Sequence, residues 1–233
     1  MLKIALFADG ADRDQMIKRY HEGSVRGFTT NPTLMAKAGV RDYAGFARDV
    51  LAVIKDLPIS FEVFSDDFDE MERQAKRIQS WGANVNVKIP ITNTRGESSL
   101  GLIRHLLDQG VKLNITAVFT EEQLGSLRQL FRSGDDVIVS IFAGRIADTG
   151  TDPMPIMRKA VRDFAPHAGA KILWASPREA LNIYQADACG CHIITCTEDL
   201  LSKLPLHGKP LSERSLDTVK MFHRDAAQAG FSL

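Results

Sequence analysis

Short apolar runs alternate with longer stretches of helical period along this whole chain, and that regularity leaves few folds open to it. The runs cover residues 2–8, 27–30, 59–64, 85–89, 111–118, 137–142, 171–175 and 192–195. Each has the length of a strand, and several are rich in Val and Ile, whose branched Cβ favours extended backbone. The stretches between them predict helices at about 12–22, from the Asn31-Pro32 turn to about 55, and at 67–81, 98–109, 155–164, 177–186 and 198–203. A further helix opens at Thr120-Glu121-Glu122-Gln123, a capping-box pattern, and Gly110 stands where a helix would end. Strand and helix repeated eight times in 233 residues predict a closed (β/α)8 TIM barrel, a fold that typically takes about 250. An open doubly wound sheet would call for G-x-G-x-x-G after the first strand, and Asp9-Gly10-Ala11 does not supply it. No linker or low-complexity tract divides the chain. The expectation is a single barrel domain over 1–233 with an extra C-terminal helix at about 212–229.

Charge and cysteine usage narrow the function classes. Lys plus Arg and Asp plus Glu both number 29, so nothing calls for a nucleic-acid or membrane partner. The longest apolar runs, such as 137–143, are far too short to span a bilayer. The N-terminal residues lack a secretory pattern, which makes a cytoplasmic location the expectation. Cys189, Cys191 and Cys196 are odd in number and clustered, a poor disulfide framework. Cys189-Gly190-Cys191-His192 lacks a second ligand pair at metal-site spacing, so buried reduced thiols are expected and no metal.

Chemistry concentrates in the run Asn84-Val85-Asn86-Val87-Lys88-Ile89-Pro90. The period of two puts Val85, Val87 and Ile89 on one face and Asn84, Asn86 and Lys88 on the other, with Pro90 stopping the strand. Lys88 thus faces inward at a carboxyl end, where lost hydration disfavours the ammonium and frees the amine to attack a carbonyl. A lysine at a strand end can also simply snorkel to water. In a barrel, however, all carboxyl ends open onto one face, where active sites sit. The others offer Asp9, then Thr29, Thr30 and Asn31, then Glu62, Asn114 and Thr116, Ser140, Phe142 and Arg145, and finally Ser176 and Arg178. Loop solvation explains the hydroxyls, but explains less well two carboxylates flanked by apolar strand residues. A lysine with two carboxylates converging on it fits Schiff-base chemistry, one moving protons at the substrate and one handling water. Arg145 and Arg178 beside Ser176 fall where barrels frequently hold a phosphate, although either arginine alone reads as a surface ion pair.

With these residues assembled, the chain resembles the small transaldolases and the related fructose-6-phosphate aldolases, class I aldolases on a (β/α)8 barrel. The likeness is carried by Gly27-Phe28-Thr29-Thr30-Asn31-Pro32-Thr33-Leu34, Phe61-Glu62-Val63, Asn86-Val87-Lys88-Ile89-Pro90 and Leu113-Asn114-Ile115-Thr116-Ala117-Val118-Phe119, then by Ser140-Ile141-Phe142-Ala143-Gly144-Arg145 and Ala175-Ser176-Pro177-Arg178. The resemblance implies that Lys88 forms the Schiff base, that Asp9 handles the proton of the C4 hydroxyl, and that Glu62 and Thr116 hold a catalytic water. It gives Asn31, Asn114 and Ser140 to the dihydroxyacetone hydroxyls, with Thr29 and Phe142 beside the substrate, and Arg145, Ser176 and Arg178 to the phosphate.

The activity so implied is transfer of a dihydroxyacetone unit from a ketose phosphate, fructose 6-phosphate or sedoheptulose 7-phosphate, to an aldehyde, as in the pentose phosphate pathway, with no metal or organic cofactor. Relatives that release dihydroxyacetone tend to carry glutamine at Glu62 and tyrosine at Phe142, so the residues here favour transfer. The resemblance also implies a homo-oligomer such as a pentamer or decamer, with the C-terminal helix packing on a neighbour. Asp9-Gly10, the long Thr92-Asn93-Thr94-Arg95-Gly96-Glu97 segment and Pro177 depart from the family pattern around the expected rim. Three alternatives therefore stay open: release rather than transfer, a modified ketose such as a sulfonated one, and a non-catalytic barrel that binds sugar phosphates.

Overall fold

Parallel pairing in strict chain order organises the protein, described here for residues 2–231 of a computed structural model. The strands are β1 (Ala5–Asp9), β2 (Gly27–Thr29), β3 (Ile59–Glu62), β4 (Val85–Pro90), β5 (Leu113–Val118), β6 (Val137–Ile141), β7 (Ala170–Trp174) and β8 (Ile193–Cys196). β8 pairs back onto β1, and the sheet closes as a (β/α)8 barrel. Strands covered on both faces need apolar residues nearly throughout, and all five residues of β6 are buried.

The helices around the barrel are α1 (Arg13–His21), α2 (Pro32–Lys37), α3 (Tyr43–Val53), α4 (Phe68–Gln79), α5 (Leu100–Asp108), α6 (Glu121–Leu130), α7 (Ala143–Ala147), α8 (Met154–Phe164), α9 (Leu181–Ala188) and α10 (Glu198–Leu201). They bury one stripe each. Met71, Ala75 and Ile78 of α4 and Met157, Ala160 and Phe164 of α8 recur at helical spacing. Asp12, Asp42 and Asp67 cap α1, α3 and α4 by accepting from a backbone N–H three residues on. The capping box at Thr120 and Gln123 forms on α6.

The structure differs from expectation in detail. The helical stretch after Asn31-Pro32 is two helices, because Gly39 takes φ +70° and ends α2 before Asp42 starts α3. The loop after β6 contains α7, and Pro90 is the last strand residue rather than a stop. Between Ile115 and Val118 the β5–β6 register shifts, and Ala117 there has φ +58°.

The barrel belongs to one compact unit, Met1–Leu201, and Ser202–Leu233 form a second. In the second, α11 (Leu211–Ala229) ends on Gly230 with φ +67°. Leu216, Val219 and Phe222, at a spacing of three, are all exposed on it. Cys189, Cys191 and Cys196 are free, buried thiols, the latter two pushed up to about 12 by burial. Among the described residues no cluster of His, Cys, Asp or Glu could hold a metal ion, and no helix is long and apolar enough to cross a membrane.

Inside the barrel, Phe7, Ile138, Leu173, Ala175 and Ile193 form an apolar cluster against which Ala5 and Phe142 pack. The Phe7 ring lies over Gly27, where a Cβ would meet it at 2.5 Å. Polar side chains fill the interior at the carboxyl ends.

Candidate active site

Glu62 and Lys88 are register partners on β3 and β4, so the pleat turns both side chains to the same side of the sheet. Lys88 is only 6% exposed. Its Nζ lies 2.8 Å from Glu62 Oε2 and donates to the Thr30 carbonyl, also at 2.8 Å. Across the barrel, Asp9 on β1 accepts a hydrogen bond from the Thr29 hydroxyl at 2.7 Å, and that hydroxyl also pairs with Thr195 on β8. Burial raises the Asp9 carboxyl above its ordinary 3.8, the Lys88 ammonium and the Thr29 hydrogen bond oppose the rise, and Glu62 adds to it. An amine and two carboxylates thus act on one another at the top of the barrel.

The Asn31-Pro32 pair serves as a helix start. Asn31 Oδ1 accepts from Leu34 N–H at 2.9 Å as the cap of α2, and Pro32 supplies the fixed φ of its first turn. Capping uses the amide oxygen and leaves the Asn31 NH2 to the cavity. On β5, Thr116 is buried and lines the cavity, and among the described residues its hydroxyl makes no hydrogen bond. Phe142 packs on Phe119 with ring centroids 5.6 Å apart, and the Arg145 guanidinium lies 5.1 Å from the Phe142 ring centre. Ser176 follows β7 with φ +59°. Its carbonyl sits so close to Gly144 that a Cβ there would stand 1.6 Å from the oxygen, which explains the glycine beside Arg145.

Of the residues named from the sequence, all but Thr30 and Asn114 line one cavity of about 500 Å³ at the carboxyl ends: Asp9, Thr29, Asn31, Glu62, Lys88, Thr116, Ser140, Phe142, Arg145, Ser176 and Arg178. The Thr30 hydroxyl instead donates to the Ser60 carbonyl at 2.9 Å. Asn114 is fully buried. Its NH2 donates to Ser60 Oγ at 3.0 Å and its oxygen accepts from Ser140 Oγ at 2.6 Å, so both ends of the amide are engaged within the barrel. Arg178, on the rim, is paired with Asp148, its Nε donating to Oδ1 at 3.0 Å. The long segment after β4 is tied down by Asp66, which accepts from the Thr94 N–H and hydroxyl at 2.6 Å each, and none of its residues lines the cavity.

Three further residues belong to the site. Thr195 stands alone as a polar residue in Ile193-Ile194-Thr195-Cys196, and that isolation was a readable signal. Lys37 of α2 also lines the cavity, with no sequence signal to mark it. Tyr43 of α3 clamps the backbone of Glu62: its hydroxyl donates to the Glu62 carbonyl at 3.0 Å and accepts from the Glu62 N–H at 2.8 Å. Burial pushes this phenol up to about 12, so it remains a donor.

Chemically, this is a shielded amine in contact with one carboxylate, a second carboxylate primed as a base, several hydroxyls, and cationic groups at the mouth. The family model described as Transaldolase/Fructose-6-phosphate aldolase matches residues 6–233. A probable transaldolase of Dehalococcoides mccartyi is 33% identical over 214 residues, 91% of this chain and 94% of that protein. One from Thermoanaerobacter sp. is 32% identical over 228 residues, 97% of this chain and 99% of the relative. The probable transaldolase 2 of Listeria monocytogenes is 34% identical over 204 residues, covering 86% and 88%.

Proposed function

The chain belongs to the transaldolase and fructose-6-phosphate aldolase family, and from that footing we propose that it moves a dihydroxyacetone unit between sugar phosphates through a Schiff base on Lys88. The observation that carries this reading is the Lys88 amine itself, buried and 2.8 Å from the Glu62 carboxylate. Glu62 takes a proton from the ammonium, and the neutral amine attacks C2 of a ketose phosphate such as fructose 6-phosphate or sedoheptulose 7-phosphate. Glu62 and Thr116 then assist loss of the C2 oxygen as water, leaving a protonated imine. Asp9 accepts the C4 hydroxyl proton, the C3–C4 bond breaks, and its electron pair flows into the imine as an aldose phosphate departs. The resulting enamine attacks a second aldehyde through C3, Asp9 returns its proton to the new hydroxyl, and hydrolysis frees the lysine. A carboxylate whose proton affinity is raised by burial is the better base for this step near neutral pH. Arg145, with Ser176 and the rim Arg178, would receive the phosphate.

Phe142 favours transfer over release. Its ring carries no hydroxyl to protonate the enamine, and it is packed between Phe119 and the Arg145 guanidinium. Borohydride reduction in the presence of fructose 6-phosphate, read by intact mass, tests the lysine. The expected result is one adduct per chain, absent in Lys88→Ala. An adduct persisting in that variant removes the assignment. Assays with and without an acceptor aldehyde give the ratio of transfer to release, which Phe142→Tyr is expected to move towards release by about a hundredfold, the lower end of what one positioned proton donor contributes.

A further inference from the structure

The amino-terminal end of the barrel holds a second chamber of about 870 Å³, larger than the catalytic one. It is lined where the strands begin, and Phe7, Ile138 and Ile193 close it off on the inner side. Two observations there call for a ligand. Asn86 on β4 lines the chamber, and among the described residues its side-chain amide makes no hydrogen bond to protein, so the little of it that is exposed opens onto the chamber. That amide is an uncommitted donor and acceptor, able to meet the oxygens of a molecule in the chamber.

The second observation is charge. Lys3, Arg26, Lys55, Lys112 and Lys171 line the chamber against the carboxylates of Asp56, Asp136 and Asp187, a formal excess of two positive charges. Only Lys112 is tied to protein, donating to the Ala83 carbonyl at 3.0 Å. Among the described residues the other four side chains have no ion-pair partner. Two of the acids are engaged elsewhere: Asp56 accepts from the Tyr20 hydroxyl at 2.8 Å, and Asp187 accepts from Lys3 N–H and Ile4 N–H at 2.8 and 2.9 Å.

We propose that this chamber binds a phosphoryl group as its dianion, carried by a small hydroxylated metabolite whose oxygens meet the Asn86 amide. Two negative charges match the local excess, the open lysines and Arg26 supply donors, and the volume fits a sugar-sized ligand. The site is independent of the aldol chemistry, and its test avoids Lys88. Sorbitol 6-phosphate is hydroxylated but has no carbonyl to condense with an amine. Titration calorimetry on Arg145→Ala, which weakens the catalytic cavity's hold on phosphate, is expected to find one bound sorbitol 6-phosphate per chain. Adding Lys55→Ala and Lys171→Ala should weaken that binding at least tenfold, while the two lysine substitutions alone leave aldol turnover unchanged. Asn86→Leu should weaken it about fivefold. No binding to Arg145→Ala, or binding indifferent to both lysines, overturns the site. Inorganic phosphate binding as tightly as the ester, with no response to Asn86→Leu, overturns the hydroxylated ligand.

Discussion

Asp9 is held where its charge is costly, because burial dominates the groups that oppose it. Its proton affinity in the folded chain exceeds that of an ordinary carboxyl at 3.8. A raised folded value means that stability from this group is fully present below the unfolded pKa and is lost as pH rises through the folded one. Near neutrality the ionised Asp9 therefore destabilises the barrel that uses it. Asp9→Asn keeps an acceptor for Thr29 and removes the charge. It is expected to melt roughly 2–4 °C higher at pH 7, the response of a chain of this size to ~1 kcal/mol, with the gain fading as pH falls towards 4. Aldol turnover should fall about 10²–10⁴-fold, since the proton acceptor is gone. Thermal scans at both pH values check the sign, and a gain of equal size at each would sink it. Lys88 was legible in the sequence because a period of two turns it inward, and Asp9 and Glu62 because they stand at strand ends flanked by apolar residues. Tyr43 was not, since its hold on Glu62 joins a helix to a strand 19 positions away.

At the level of elements, the catalytic rim depends on the approach of α7 to the end of β7. The Ser176 carbonyl occupies the space a side chain at position 144 would need. Gly144→Ala must push the two apart, carrying Arg145 and Ser176 with them. The expected cost is ~1–3 kcal/mol in chemical denaturation, with a raised KM for the ketose phosphate. A variant with wild-type midpoint and KM would contradict this packing. Long, periodic elements such as α4, α8 and β4 could be read directly from the sequence. The break between α2 and α3 was harder, because Gly39 in a helical stretch is ambiguous until its positive φ is seen. Five-residue α7 is too short to show a period at all. Its place near a strand end marked Asn114, but not that Ser60 and Ser140 engage both ends of its amide.

For the molecule as a whole, the eightfold repeat of strand and helix dictated the barrel, and the positions of the strand ends pointed to the mouth where the candidate site lies. We propose self-association from a different feature. Leu216, Val219 and Phe222 of α11 are 52%, 60% and 63% exposed, a row that we expect a second copy of the chain to cover. Sedimentation velocity should find a multiple of 25.8 kDa for the wild type and smaller species for Leu216→Asp with Phe222→Asp. A wild type sedimenting as one chain would exclude that assembly. Phe7 matters along the barrel axis. It belongs to the apolar cluster whose members line the lower chamber on one side and, through Ala175 and Phe142, the upper cavity on the other. The partition between the two cavities is built from this cluster, with the Phe7 ring lying over Gly27. Trimming that ring to a methyl would hollow out the partition and weaken the seal between the two ends of the cylinder.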